Sequence, residues 1–163
     1  MATQGLTVGL IGTGRIGADH ARTIKTLDHI AGLVVADVFA EGAAKVAAEL
    51  GARQVDPDKL IGEVDALIVA TPTNAHAEYI IAAAEAGVPV FTEKPLAASV
   101  EVGERIVDAV AKSGTWHMVG YHKRSDPASM FARVEIERLK ESGELGGLKY
   151  VRILMPAGDW VAN

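Results

Sequence analysis

Residues 6–17, LTVGLIGTGRIG, place an apolar, partly β-branched run directly before a G-x-G-x-x-G turn, and a helix-forming stretch, ADHARTI, directly after it. A strand, a glycine turn and a helix in that order admit few architectures. Gly12 permits the tight turn, Gly14 lets another molecule approach the backbone, and Gly17 allows the helix to pack close to the strand. The helix start also turns its unpaired N–H groups and positive dipole end towards whatever lies in front, which suits a dinucleotide diphosphate. Gly12, Thr13, Gly14, Arg15, Ile16 and Gly17 are therefore the candidate phosphate-binding residues.

The same alternation continues along the chain. Short β-branched runs are expected as strands at Leu6–Ile11, Leu33–Ala36, Arg53–Val55, Ala66–Ala70, Val88–Thr92 and Thr115–Val119. Ala-rich stretches between them read as helices at Gly14–Thr26, Glu41–Leu50, Ala75–Ala86 and Ser99–Lys112, with a short turn at Pro57–Ile61. Gly51 suits a helix C-cap, Ser99 an N-cap, and Asp126-Pro127 the N-cap and first turn of a further helix ending near Glu141. Strands that alternate with helices argue for a parallel sheet covered on both faces, so the expected fold is α/β, a doubly wound Rossmann sheet. After the turn at Gly143–Gly147, Leu148–Leu154 reads as one more strand, the start of an incomplete α/β substrate domain. The expected division is a dinucleotide-binding domain over 1–121 and the beginning of a second domain over 122–163.

Composition narrows the function. At 163 residues, 49% hydrophobic and 23% charged, the chain can bury a globular core. A net charge of −5 with scattered basic residues gives no footprint for nucleic acid. No stretch reaches the roughly 18 apolar residues of a membrane span, so no membrane association is expected. The absence of cysteine rules out a disulfide framework or thiolate metal site and suits a cytoplasmic setting; no metal site is expected.

Asp37 ends the second expected strand at the distance where an acid accepts hydrogen bonds from an adenosine ribose; a solvated turn aspartate is the alternative. The following Val38-Phe39 offers no cation for a 2′-phosphate, which favours NAD over NADP. Thr71-Pro72-Thr73-Asn74, Glu93-Lys94-Pro95 and Tyr121-His122-Lys123-Arg124 end the fourth, fifth and sixth strands. Five strand ends with polar or glycine-rich groups define one edge, the edge where open α/β sheets bind ligands. Of the histidines, His20 reads as packing or solvent-facing, and His29 and His117 as structural.

GLIGTGRIGADHA, ATPTNAHAEYIIAAAEAG, FTEKPLA, VGYHKRSDPA and SGELGGLKYVR resemble the Gfo/Idh/MocA oxidoreductases over about Val8 to Tyr150. The resemblance implies hydride transfer between nicotinamide and a hydroxyl-bearing carbon of a sugar or polyol. It implies that Lys94 is the catalytic lysine, partly buried, holding the substrate hydroxyl and passing its proton along. Thr71, Pro72, Thr73, Asn74, His76 and Glu93 would surround the nicotinamide half, and Arg124 matches the family's arginine, which would meet a hydroxyl, a carboxylate or the cofactor; a salt bridge to Asp126 or a helix-start contact is the alternative. Glu93 would orient the amine or contact the ribose, and the Lys94–Pro95 bond is expected to be cis. A surface lysine paired to Glu93 is the plainer reading. His122 and Ser125 depart from the family's usual Asn and aromatic residue.

Family members are about twice as long, and their second domain supplies a histidine beside the lysine. No histidine follows His122. The chain is thus expected either to be truncated or to have lost that domain, and to form a homo-oligomer if it extends. A non-catalytic NAD-binding sensor or regulatory module is the rival reading.

Overall fold

The computed structural model describes residues 5–154. Its first strand, β1 (Leu6–Ile11), is apolar on both faces and lies inside the sheet, with Leu10 and Ile11 fully buried. The other strands are β2 (Ile30–Ala36), β3 (Arg53–Gln54), β4 (Ala66–Val69), β5 (Val90–Thr92) and β6 (His117–Val119). All pair in parallel, in the order β3-β2-β1-β4-β5-β6. Parallel neighbours require crossovers. Helices α1 (Arg15–Ile24), α2 (Ala40–Leu50), α3 (Pro57–Leu60), α4 (His76–Glu85) and α5 (Val100–Ser113) provide them.

Side chains alternate across each strand, so the sheet carries two cores. Val8, Leu10 and Val35 pack with Ala21 and Ile24 of α1 and Val46 of α2. On the opposite face, Ile11, Val34, Leu67 and Val69 pack with Ile80 of α4 and Ile106 of α5. Burying each large aliphatic side chain contributes roughly 1.5–3 kcal/mol relative to exposure. The doubly wound α/β sheet expected from the sequence is the fold observed.

Local signals explain the element ends. Ser99 Oγ accepts from the Val102 N–H at 3.3 Å, capping α5, and Gly51 and Gly114 close α2 and α5 in the left-handed conformation. Strand β2 starts earlier than the β-branched run suggests, because Ile30 and Gly32 pair with Leu6 and Thr7. Strand β5 starts later, after Pro89, which has no N–H to give the ladder; its carbonyl still accepts from Leu67 N–H at 2.8 Å.

The chain divides into two compact units after Tyr121. The first holds the sheet and α1–α5. Among its described residues the second contains a 3₁₀ turn, His122–Arg124, and helix α6 (Pro127–Ser142), whose N-cap Asp126 accepts from the Ala128 and Ser129 N–H groups. Contrary to the sequence expectation, Leu148–Leu154 forms no strand. A lone apolar run has no ladder to join, and strands need neighbours to persist.

Candidate functional site

Strand order reverses between β1 and β4, since the chain leaves β1 towards β2 and β3 and returns to β4 on the other side. Loops at the carboxyl ends of such neighbours diverge and leave a crevice. Here the crevice is a cleft of about 500 Å³, within the ~300–1,000 Å³ typical of small-molecule sites.

One wall is the glycine turn. Gly12 has φ +94°, and a Cβ there would stand 2.6 Å from the carbonyl carbon and oxygen of Ala70. Gly17 packs so tightly on the Gly12 carbonyl that a side chain would overlap it. Gly14 caps α1 without any side-chain hydrogen bond, no acidic residue stands in the first turn, and nothing lies within 4 Å of where its Cβ would be. The space beside Gly14 is therefore open, and the first turn of α1 has no side-chain cap. Gly12, Gly14, Arg15 and Ile16 line the cleft.

Thr13 does not. Its side chain is 8% exposed and turned inward, and it holds Asp37. Asp37 Oδ2 accepts from the Thr13 N–H at 2.6 Å and the Thr13 hydroxyl at 2.9 Å, and Oδ1 accepts from the Phe39 N–H at 2.9 Å. Burial alone would raise this carboxyl, but the hydrogen bonds from Thr13 and Phe39 outweigh it and hold it below the usual carboxylate range. A carboxylate has about four lone-pair positions. The Thr13 and Phe39 bonds take three, the Val38 N–H also acts on this carboxylate, and Asp37 lines the cleft.

The facing wall is the loop after β4, where Thr71, Pro72 and Asn74 line the cleft and Thr73 lies in the same short 3₁₀ turn without lining it. The Thr71 hydroxyl is buried and has no hydrogen-bond partner among the described residues. Sequence reasoning missed Tyr79 and the side chains of Val38 and Phe39, which also line the cleft. Tyr79 sits one helical turn beyond Ala75, another lining residue, so helical spacing was the available signal. Burial, then the charges of Glu78 and Asp37, push its phenol up and keep it a hydrogen-bond donor.

A second group of residues surrounds the end of β5. The Glu93 N–H donates to Val69 O at 2.9 Å, continuing the ladder. Glu93 Oε1 meets His20 Nε2 at 2.8 Å, and Oε2 accepts from the Lys94 N–H at 3.1 Å. Glu93 thus grips the lysine's backbone. His20, read from sequence as packing or solvent-facing, packs edge-on against Phe91 and also reaches this strand end; spacing within α1 gave no sign of a partner 73 residues away. The Lys94–Pro95 bond is cis, as expected. Lys94 itself is exposed rather than partly buried; it follows the end of β5 by two residues.

His76 corrects another expectation. It is fully buried, with Nδ1 3.0 Å from the Pro95 carbonyl oxygen and Nε2 2.9 Å from that of Thr71. Both ring nitrogens are occupied by backbone, so His76 joins the loops after β4 and β5 from behind and is not a pocket-lining residue. A neutral ring has one N–H, enough for one of these two carbonyls at a time. His117 is structural, as read, with Nε2 3.1 Å from Thr92 Oγ1. Arg124 lies in the one-turn helix of the second unit.

The geometry defines a dinucleotide-type crevice at the edge of a Rossmann sheet, and comparison with known proteins agrees. Residues 6–121 match the oxidoreductase family with an NAD-binding Rossmann fold, Gfo/Idh/MocA. The chain belongs to that family. It is 40% identical over 153 residues to inositol 2-dehydrogenase of Acidothermus cellulolyticus, covering 90% of this chain and 44% of that protein. Among solved structures, it is similar to UDP-N-acetylglucosamine 3-dehydrogenase GnnA from Acidithiobacillus ferrooxidans (34% identity, TM-score 0.73, covering 80% of this chain and 42% of that one). It is also similar to scyllo-inositol dehydrogenase from Lactobacillus casei with bound NAD(H) and scyllo-inositol (26% identity, TM-score 0.76, covering 87% and 42%). The chain spans less than half the length of these relatives.

Proposed function

We propose that this chain carries the cofactor half of an NAD-dependent oxidoreductase that moves hydride between nicotinamide and a hydroxyl-bearing carbon of a polyol or sugar. The observation that carries the reading is the uncapped start of α1 facing the β4 loop across the point where strand order reverses. Three features fit the cofactor. Gly12 and Gly14 leave a cradle that a side chain at Gly12 would destroy, the Asp37 carboxylate lines the cleft, and the buried Thr71 hydroxyl lacks a partner among the described residues.

In this reading the N–H groups of the first turn of α1, with Arg15, hold the diphosphate. Asp37 accepts from an adenosine ribose hydroxyl, and its charge repels a 2′-phosphate, which favours NAD over NADP. Val38 and Phe39, both more than 70% exposed, offer apolar surface to a purine ring. Thr71 and Asn74 would meet the nicotinamide half. The bound nicotinamide ring supplies the hydride acceptor or donor. Lys94, held by its backbone and exposed at its amine, would hold the substrate hydroxyl and exchange its proton. Residues 122–163 would open the second domain, and inositol-like polyols are the substrate class suggested by the relatives' names.

Titrating the chain with NAD⁺ and NADP⁺ by calorimetry tests this. Saturable NAD⁺ binding, weaker NADP⁺ binding and a loss of about tenfold in NAD⁺ affinity for Asp37→Ala are expected, the size of one charge-assisted hydrogen bond. No NAD⁺ binding would refute the reading.

A further inference from the structure

The contacts around β5 leave one group without a role in the cofactor cleft. His20 is in the middle of α1, and its Nε2 reaches Glu93 Oε1 at 2.8 Å across the carboxyl edge of the sheet. A carboxylate only accepts, so Nε2 carries the hydrogen. Glu93 uses its other oxygen, Oε2, to accept from the Lys94 N–H at 3.1 Å. Each carboxylate oxygen therefore has a separate task, and the carboxylate plane is fixed at both ends.

The surroundings hold this arrangement rigidly. The His20 ring stands edge-on to Phe91, with centroids 5.5 Å apart and planes at 70°, an orientation favoured for aromatic pairs. Phe91 in turn lies against Gly120, where a Cβ would stand 2.8 Å from the ring and 3.5 Å from Glu93 Oε1. The pair is sheltered, with side chains 26% and 19% exposed, so water competes with it less than with an exposed pair.

We infer that His20 is a positioning residue for Lys94: through Glu93 it fixes the lysine's backbone, and because it rides on the helix that begins at the glycine turn, it ties the setting of the amine to the wall of the cleft. The functional meaning rests on the proposed reading of Lys94 and the cleft; the positioning itself rests only on the contacts above. The relay is specific to the ε nitrogen. A glutamine amide can place a donor near the Nε2 position, whereas asparagine is one methylene short.

The test follows the Lys94 amide by NMR in the 163-residue chain and in His20→Gln and His20→Asn. Expected is an unchanged Lys94 amide shift and exchange rate in His20→Gln. In His20→Asn, exchange should be faster by about tenfold, the size of a hydrogen bond to a charged acceptor, with the amide proton shifted upfield. Melting temperatures taken alongside separate this from general loosening, because a merely structural role would lower stability in both variants without distinguishing them at Lys94. An unchanged Lys94 amide in His20→Asn, or equal loss in both variants, overturns the positioning role. NAD⁺ titration of the wild-type chain is the separate arm: absence of binding removes the cofactor reading and leaves the Lys94 result to stand or fall alone.

Discussion

Removing the Thr13 hydroxyl isolates one hydrogen bond inside the cofactor wall. Valine has nearly the same shape, and position 13 is 8% exposed, so Thr13→Val leaves packing and the backbone N–H bond to Asp37 in place. What is lost is the 2.9 Å bond from Thr13 Oγ1 to Asp37 Oδ2. Hydrogen bonds to charged groups contribute about 1.5–3 kcal/mol, but Asp37 is only half-buried and water screens part of that. A loss near the lower end, about 1–1.5 kcal/mol at neutral pH, is expected in urea titrations. The pH dependence sharpens the test. Burial raises the Asp37 carboxyl, the hydrogen bonds lower it further than that, and its folded value lies below the ordinary 3.8. A carboxyl depressed on folding stabilises fully above its unfolded value and loses that contribution as pH falls through the folded one. The gap between wild type and Thr13→Val should therefore be constant above about pH 5 and shrink below the ordinary carboxylate value. An equal gap at every pH, or none at neutral pH, would refute the account of how Asp37 is held.

Gly12→Ala should lose about 2–4 kcal/mol in chemical denaturation, combining a φ of +94° with a Cβ 2.6 Å from the Ala70 carbonyl. On the proposed reading of Lys94, Lys94→Met should leave NAD⁺ affinity within about twofold in calorimetry while reducing any polyol-dependent NADH formation by about 10²-fold or more. Burial lowers the His117 imidazole below its ordinary 6.5, so the unfolded chain takes up a proton that the folded one refuses. Stability should decline as pH falls from 6.5 towards the lower folded value, and His117→Gln should flatten that limb of the stability profile.

The fold was legible because period and punctuation agree. The apolar runs, the glycine turn and the caps at Ser99 and Asp126 each favour the same local structure, and the order of strands and helices leaves the doubly wound sheet as their joint solution. The edge of the site was legible for the same reason, since every parallel strand ends on it. Inner wiring was not. Thr13 looked like a phosphate ligand, yet its hydroxyl turns inward, a choice settled by where β2 delivers Asp37. His76 looked like a pocket residue, but the loops after β4 and β5 close over it with two carbonyls. His20 and Glu93 are 73 residues apart, and only the sheet order brings them together. Leu148–Leu154 had the composition of a strand without a ladder to complete it. Such pairings depend on long-range register, which periodicity does not encode.

Placing the cleft between β1 and β4 has a consequence for how the molecule is made. Gly12 emerges in synthesis some sixty residues before Thr71, and the strands they follow become neighbours only once both exist. Closing that long loop is the entropically demanding step of sheet assembly. A ligand bridging the two walls would thus brace the central seam of the sheet instead of a peripheral flap, so its binding should slow exchange of the most protected amides of β1 and β4 rather than quieting a surface loop.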